Sequence, residues 1–238
     1  MRLIIASDIR RLLLFTKQLK ECMKPVALIA PEPRLRDADR SQQAILDAAR
    51  EEFALLGLAG ARVDSIAERA GLNKRLIYYY FSSKDDLFLA VLEGAYANIR
   101  EAEKELHLLD LQPAEAVRRL MEFTWNYYLE HPEFITLLNS ANLHQARHLE
   151  KSKRVREMNS PVIQTLGDIL ERGRKEGVFR GGVDPVHLYI SIAGIAYFYL
   201  SNNYTLSAIF GRNLMTRKAR SERLSHMCDV ILGYVLKD

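Results

Sequence analysis

Apolar residues recur at intervals of three and four along most of the chain, and no segment alternates apolar and polar residues over a useful length. This spacing predicts α-helices, because it places the apolar side chains on one face of a helix. Glycine and proline, which most often interrupt helices, number only 12 and 7. The sequence therefore predicts an all-α protein of about nine helices.

The first half of the chain contains four predicted helices, at about 41–56, 63–70, 74–80 and 84–106. Glycines follow the first two, as is common at helix ends. Asn73 precedes the third helix as a cap, and a Ser-Ser pair precedes the fourth. The second half has further helices predicted at about 113–129, from Pro132, at 158–176, 185–202 and 216–236.

The segment before the first predicted helix is unlike the helical part of the chain. Residues 25–40 contain three prolines and charges of both signs, so we expect a flexible arm there. Residues 1–22 differ in composition from the remainder of the sequence, and Met23 would be an ordinary start. We expect residues 1–22 to be dispensable and not to belong to the native protein.

The predicted helices at 63–70 and 74–80 are short and are joined by a turn at Gly71. Apolar residues on both sides of that turn can form a seam: Ile66, Ala67, Ala70, Leu72 and Ile77. Two such helices, the second presenting polar and aromatic side chains, are typical of a helix-turn-helix whose second helix enters the major groove of DNA. DNA binding is therefore the first function that the sequence indicates.

The residues of this region also resemble a known family. The runs 53–57, 63–74 and 77–88 are similar to the signature of the tetracycline-repressor (TetR) family, most specifically in a triple tyrosine followed by phenylalanine and a Ser-Lys pair. The resemblance implies that the helix at 74–80 enters the major groove. It also implies that the tyrosines and the lysine opening the next helix contact phosphates, and that the protein is a homodimer.

We therefore expect three parts in the chain. Residues 1–40 would be an N-terminal extension and arm, partly flexible, and residues 41–86 a three-helix DNA-binding head. Residues 87–238 would be a helical bundle for ligand binding and dimerisation. Partners would be double-stranded operator DNA, a small-molecule effector and a second copy of the chain.

Two positions depart from the family pattern. Arg75-Leu76 stands where a small pair is common, which predicts an altered base preference. Arg62 stands near the position of a capping hydroxyl and can replace its phosphate contact. The residues that we expect to bind DNA are Arg62, Lys74, Arg75, Leu76, Tyr78, Tyr79 and Lys84. Tyr80 is expected to be structural, because three consecutive tyrosines on a helix cannot share one buried face.

The C-terminal half is similar to a subgroup of repressors of nitrogen-heterocycle catabolism, pyrimidine and nicotinate regulators among them, from His131 through Asn142 to Phe210. This likeness and the many aromatic residues predict an aromatic or N-heterocyclic carboxylate as effector. Most of the aromatics are expected in the core, and some in a pocket between helices. The candidate effector-binding residues are Trp125, Tyr128, His144, Arg147 and Tyr197.

The predicted helices at 185–202 and 216–236 are apolar over a wide arc. A single chain could bury that arc, but its width favours a two-fold, four-helix interface. The candidate interface residues are Tyr189, Ala193, Leu200, Leu224, Met227, Ile231 and Val235.

Charge and composition give less information about function than the helix pattern and the motifs do. Residues 1–24 alone account for the formal net charge of +4, so the rest of the chain is neutral overall. Overall charge is therefore a poor indicator of DNA binding. Cys22 and Cys228 are the only cysteines, which predicts no disulfide framework and fits a cytoplasmic protein. No apolar run is long enough for a membrane span or a secretory signal.

No enzymatic motif is present in the sequence: there is no GxSxG, no phosphate-binding glycine loop and no GxGxxG after a strand. His144 and His148 have a spacing that can ligate a metal, but no cysteine or convincing carboxylate accompanies them. We therefore expect no catalytic residues, no metal and no cofactor.

The expected function is that of a homodimeric transcriptional repressor released from its operator by an effector. One alternative is an activator or a ligand-independent regulator of the same fold. Another is a small-molecule-binding or catalytic helical protein with a vestigial helix-turn-helix. The basic and aromatic residues expected on the recognition helix argue against that last alternative.

Overall fold

A computed structural model of the chain describes residues 33–150 and 152–237, with side chains from residue 37 onward. The α-helices in these ranges are α1 (Pro33–Gly60), α2 (Val63–Ala70), α3 (Lys74–Phe81), α4 (Lys84–Lys104), α5 (Pro113–Glu130), α6 (Pro132–Leu143), α7 (Arg147–Glu150), α8 (Lys153–Lys175), α9 (Pro185–Ser201), α10 (Asn203–Ile209) and α11 (Arg217–Val235). A 3-10 turn spans Leu108–Asp110. The predicted all-α class is confirmed.

The described ranges hold eleven α-helices rather than about nine. The two additional helices are α7 and α10, of 4 and 7 residues. Helices this short contain too few turns to produce a recognisable apolar period. Helix α8 also starts five residues earlier than predicted, because the Ser152 hydroxyl caps it by accepting from the Val155 N–H at 3.1 Å.

The prediction of an arm up to residue 40 is partly wrong, because α1 already begins at Pro33. Proline fits the first turn of a helix, where its missing N–H would have no partner, so Pro33 starts a helix rather than breaking one. The chain forms two compact units, residues 1–40 and 41–238. In the first unit the described residues, 33–40, are helical, and the predictions for residues 1–32 lie outside the described ranges.

The head has its own apolar core, formed by α1 to α3 and the start of α4. Phe53 and Phe88 meet edge to face in it, with ring centroids 5.0 Å apart. Leu137 and Ala141 of α6 also belong to this core. The head is therefore packed against the C-terminal domain, in addition to being joined to it through α4.

The C-terminal domain is built around α5, which contacts α8, α9 and α11. Its core contains Trp125 of α5, Ile169 of α8 and Ile192 of α9, all at most 2% exposed. Burial of such a contiguous apolar surface is the main favourable contribution to the stability of a domain of this size.

One close contact in this domain leaves no room for a side chain. A Cβ at Gly173 of α8 would lie 2.2 Å from a ring carbon of Phe179, which is itself buried. We expect Gly173→Ala to destabilise the protein by about 3 kcal/mol and to lower its Tm by roughly 5–10 °C, because the buried ring cannot move aside. Differential scanning calorimetry measures this.

Gly94→Ala is the matched control, since Gly94 also lies within a helix but nothing lies within 4 Å of its added Cβ. That variant should be unchanged or more stable by up to about 1 kcal/mol. Equal Tm values for the two variants would contradict the proposed clash.

Candidate DNA-binding surface and ligand-binding domain

The helix-turn-helix is formed by α2 and α3, and its turn depends on glycine. Gly71 has φ 65° and ψ 28°, the left-handed conformation that glycine adopts without strain. Its N–H donates to the carbonyl of Glu68 at 3.0 Å. Asn73 caps α3, as predicted, because its side chain accepts from the Arg75 N–H at 2.9 Å. Ile77, 1% exposed, holds α3 against the head core.

The outward face of α3 carries a cation and two aromatic rings. Arg75 and Tyr79 are exposed, Tyr79 to 78%, and Tyr78 is 44% exposed. Tyr80 is half-buried against the head core, in agreement with the structural role expected for it. Leu76, expected to reach DNA, is also half-buried against that core, so only part of its side chain is available.

Lys74, at the first position of α3, has an acidic partner. Its Nζ lies 2.7 Å from Asp64 Oδ1 of α2, and this hydrogen bond raises the pKa of Lys74. The aspartate offsets the lysine charge at the start of the recognition helix. Arg75, the next residue along α3, is exposed.

Lys84 begins α4 and connects it to the loop before α2. Its Nζ donates to the carbonyl of Ala61 at 3.2 Å, which leaves two ammonium protons for another acceptor. The next residue along the loop, Arg62, is exposed at the N-terminal cap of α2. Lys84 and Arg62 therefore flank one short segment of backbone at the N-terminal ends of two helices, an arrangement that favours a phosphate.

Two polar contacts link the head to the C-terminal domain. The Leu58 N–H donates to Ser140 Oγ of α6 at 3.0 Å in a buried position. It follows Gly57, where α1 is kinked at φ 66°. On α7, His148 Nε2 lies 3.0 Å from Asp85 Oδ1, and its ring packs edge-on against Phe88. Sequence reasoning missed these contacts, because they join residues far apart in the chain.

The predicted effector-binding residues do not converge on one site. Trp125 is 2% exposed and packs against Tyr199 in the core, with ring centroids 5.5 Å apart. His144 and Arg147 lie at the corner between α6 and α7, where Arg147 Nε donates to the His144 carbonyl at 3.2 Å. Nearby on α7, His148 contacts Asp85 at the start of α4, and Leu149 packs against the head core.

Tyr128 and Tyr197 lie at a different place. Tyr128 lines an open cavity of about 940 Å³ between α5, α6, α9 and α10, and Tyr197 donates a hydrogen bond to Asn139, which lines the same cavity. Exposed Tyr204 and half-buried Met215 form part of its wall. The structure thus separates the five predicted residues into core, corner and cavity groups.

A buried ion pair on α4 was missed by the sequence reasoning. Arg100 Nη1 lies 2.8 Å from Glu103 Oε2, and both side chains are only 6% exposed. Arg100 Nη2 also donates to the Tyr189 hydroxyl of α9 at 2.6 Å. Burial raises the pKa of Glu103 to about 7, against the opposing effect of Arg100. The sequence pattern that could have revealed this ion pair is the helical spacing of Tyr96, Arg100 and Glu103, which places them on one inward face of α4.

Two family models match the chain. Residues 45–91 match the family described as "Bacterial regulatory proteins, tetR family", and residues 113–231 match "Tetracyclin repressor-like, C-terminal domain". The chain belongs to the TetR family. It is therefore a transcriptional regulator with a helix-turn-helix, and the resemblance read from its tyrosines and lysine is confirmed.

Curated relatives are regulators of the same type. The HTH-type transcriptional repressor NicS of Pseudomonas putida is 40% identical over 199 residues, which is 84% of this chain and 94% of NicS. The repressor SCO4008 of Streptomyces coelicolor is 37% identical over 43% of this chain and 50% of its own. The regulator RutR of Escherichia coli is 32% identical over 42% of this chain and 47% of its own.

Solved structures of transcriptional regulators share the fold. The transcriptional regulator SCO4942 of Streptomyces coelicolor has a TM-score of 0.62 at 25% identity, over 82% of this chain and 98% of that one. A TetR family regulator from Marinobacter aquaeolei has a TM-score of 0.64 at 21% identity, over 86% and 100%. Within the described ranges, no helix has the length and apolar character of a membrane span. No group of three metal-ligating side chains occurs there either.

The residues predicted for the dimer interface of this TetR-family chain lie mostly inside its own core. Leu200, Met227, Ile231 and Val235 are at most 7% exposed, while Tyr189, Ala193 and Leu224 are half-buried. The exposed apolar residues of the same two helices are Val186, Ile190 and Phe198 of α9 and Val230 and Tyr234 of α11. The apolar surface available to a second copy therefore lies on a neighbouring face of each helix.

Proposed function

We propose that this TetR-family regulator is a cytoplasmic homodimeric repressor, without enzymatic activity, that leaves its operator when an aromatic or N-heterocyclic carboxylate binds its C-terminal domain. The observation that carries the DNA-binding part is the exposed face of α3, where Arg75, Tyr78 and Tyr79 stand clear of the head core. The likeness to the repressor NicS across most of both chains supports repression.

In this proposal, α3 lies in the major groove with its N-terminal end against base edges. Arg75 grips a guanine through two hydrogen bonds to O6 and N7, a geometry that lysine cannot reproduce. Lys84, Arg62 and Tyr79 bind phosphates on either side of the groove. The phosphate contacts supply affinity and register, whereas Arg75 supplies sequence preference.

Dimerisation places two such heads on one operator. The exposed stripe at Val186, Ile190 and Phe198 pairs with its two-fold copy, flanked by Val230 and Tyr234 of α11. Val186, Ile190 and Phe198 are separated by four and eight residues, with Gly194 between the last two, and so lie along one face of α9. The half-sites then lie about one or more turns of DNA apart, ~34–36 Å for a single turn.

Binding titrations on DNA upstream of its own gene and on random DNA, at several salt concentrations, test the DNA-binding proposal. We expect tight binding to the upstream DNA that weakens steeply as the salt concentration rises. Contacts to phosphates release counterions from the DNA, and this release is less favourable at high salt. Absence of salt-sensitive binding there and at neighbouring promoters would overturn it. A reporter gene whose expression rises when the regulator is deleted would support repression, and one whose expression falls would make the protein an activator.

The two classes of contact can be separated by substitution. Arg75→Ala should cost about 1–3 kcal/mol per half-site on the operator and little on random DNA. Lys84→Ala should weaken both equally and reduce the salt slope by roughly one unit per subunit. Lys218→Ala, which changes an exposed lysine of α11, should change neither. If Arg75→Ala lost affinity equally on both DNAs, Arg75 would be a phosphate anchor instead.

A further inference from the structure

A second cavity, of about 360 Å³, lies between the C-terminal half of α4, the 3-10 turn and α8. Its walls are largely apolar and include Leu108, Met158, Pro161 and Val162. Arg100 and Glu103 line one end of it. A volume of this size, with apolar walls and a small number of polar groups, is typical of a site for a small molecule.

The polar end of this cavity has unused hydrogen-bonding capacity. Arg100 Nε and Glu103 Oε1 are buried and have no hydrogen-bond partner within the described part of the chain. The contact between Arg100 Nη1 and Glu103 Oε2 is short, at 2.8 Å, but is not aligned as a hydrogen bond. Buried charged groups are costly when they are only partly satisfied, so such a cluster requires an explanation in a folded protein.

We propose that this cavity is the effector site and that it recognises a small planar monocarboxylic acid, whose carboxylate binds the Nε side of Arg100 while its ring lies against the apolar walls. The inference rests on the proposed effector-released repressor. A guanidinium presents parallel N–H groups that match a carboxylate, and such charge-assisted pairs are strong away from water. The Tyr189 hydroxyl, bonded to Nη2, fixes the orientation of the guanidinium.

Glu103 must then accommodate a second anion beside it. Because burial already holds its pKa at about 7, the neutral form is accessible near neutral pH. An adjacent ligand carboxylate raises that pKa further, so Glu103 takes up a proton when the ligand binds and can donate a hydrogen bond to it. Between about pH 7 and the higher pKa of Glu103 in the complex, the liganded state thus binds up to one more proton than the free state.

The other groups that face Glu103 do not titrate in the same way. Burial raises the pKa of Tyr127 and Tyr128 of α5 and of Tyr189 of α9, so these remain protonated. The residues of α8 that line the cavity carry no titratable side chain. At the mouth, His107, Asp110 and Lys104 also line the cavity, so a His107 variant serves as the control for the pH dependence.

The position of Arg100 connects the cavity to DNA binding. Arg100 lies on α4, the helix that begins at Lys84 in the head. A ligand that draws the guanidinium away from Glu103 changes the contacts of the C-terminal half of that helix. It can shift the regulator toward a released state only as far as its affinity differs between the two states.

Calorimetric titration of the full-length protein with nicotinate and benzoate, each compared with its uncharged amide, tests the proposal. We expect the acids to bind and the amides to bind at least about 10-fold more weakly. Affinity for the acids should be constant below about pH 7 and should fall by up to about tenfold per pH unit above it. Equal binding of acid and amide, or affinity independent of pH, would overturn it.

Substitutions test which side chains are responsible for acid binding and for its pH dependence. The double variant Arg100→Met/Glu103→Leu removes both charges together, which avoids leaving one buried alone, and should lose acid binding by about 10- to 100-fold. Glu103→Gln should abolish the pH dependence, whereas His107→Asn should keep it. Loss of acid binding in Asn139→Ala, with binding retained in the double variant, would place the effector in the larger cavity and overturn the proposal.

Operator binding without ligand, measured by fluorescence anisotropy for each variant, separates the cavity assignment from the proposed function. Each protein is compared with its own operator affinity without ligand, and the acids should reduce that affinity only for the wild type. If the wild type and the double variant both bound operator DNA and the acids released them equally, only the cavity assignment would be overturned. Failure of the wild type to bind any operator would instead overturn the proposed function, and the cavity inference with it.

Discussion

Phe198→Glu is expected to convert the proposed dimer to a monomer and to weaken operator binding by about 10²–10⁴-fold. Phe198 is 58% exposed on α9, in line with Ile190 and Val186, and it has the largest side chain of these three. Two-fold symmetry would bring both new carboxylates into one apolar interface, where an unpaired charge is strongly unfavourable. A monomer then binds one half-site at a time and loses the benefit of two linked heads.

Sedimentation velocity gives the oligomeric state, and anisotropy titrations give the operator affinity. Leu143→Glu is the matched control: Leu143 is 79% exposed, at the end of α6, and lies outside the proposed face. It should remain dimeric. A Phe198→Glu protein that stays dimeric at low concentration with unchanged operator affinity would rule out this face as the interface.

Ile77→Asp is expected to unfold the head and to abolish binding to operator and random DNA alike. Ile77 is 1% exposed between α2 and α3, and a buried unpaired carboxylate there should cost about 4 kcal/mol or more. The tryptophan at position 125 is the only one in the chain and lies in the core of the C-terminal domain. Its emission should therefore stay native while the far-ultraviolet circular dichroism loses part of its helical signal.

Tyr79→Asp adds the same charge two residues further along α3, where the side chain is 78% exposed. This control should keep the full helical signal and lose only DNA affinity, by repulsion from phosphates. If Ile77→Asp retained native helicity and weakened DNA binding only as much as Tyr79→Asp, the seam between α2 and α3 would not be what holds the head together.

The head could be predicted from sequence because its signals are local. Gly71, the Asn73 cap and the apolar seam around Ile77 all lie within a few residues of one another, and each acts on its immediate neighbours. The start of α1 was misjudged because proline ends some helices and begins others. At Pro33 only the residues on its C-terminal side, which favour helix, decide between the two.

The proposed dimer face and the proposed effector site could be located only with the three-dimensional structure. An apolar arc on α11 indicates burial, but it does not tell whether the chain itself or a second copy does the burying: Met227 faces inward and Val230 outward. For the aromatic residues, the sequence likewise does not tell whether a side chain lies in the core or lines a pocket. Arg100 and Tyr189 are 89 residues apart in sequence, so no local pattern shows that they meet.

The head is attached to the C-terminal domain in two places: at the start of α4, where His148 also contacts Asp85, and at α6, where the Leu58 N–H donates to Ser140. A rigid body held at one point can tilt in any direction, whereas one held at two points keeps only rotation about the line through them. Gly57, strained for any other residue at φ 66°, allows the backbone to reach that second point. In the proposed regulator, the fold thus sets the axis about which a head swings, and the effector determines how far it turns.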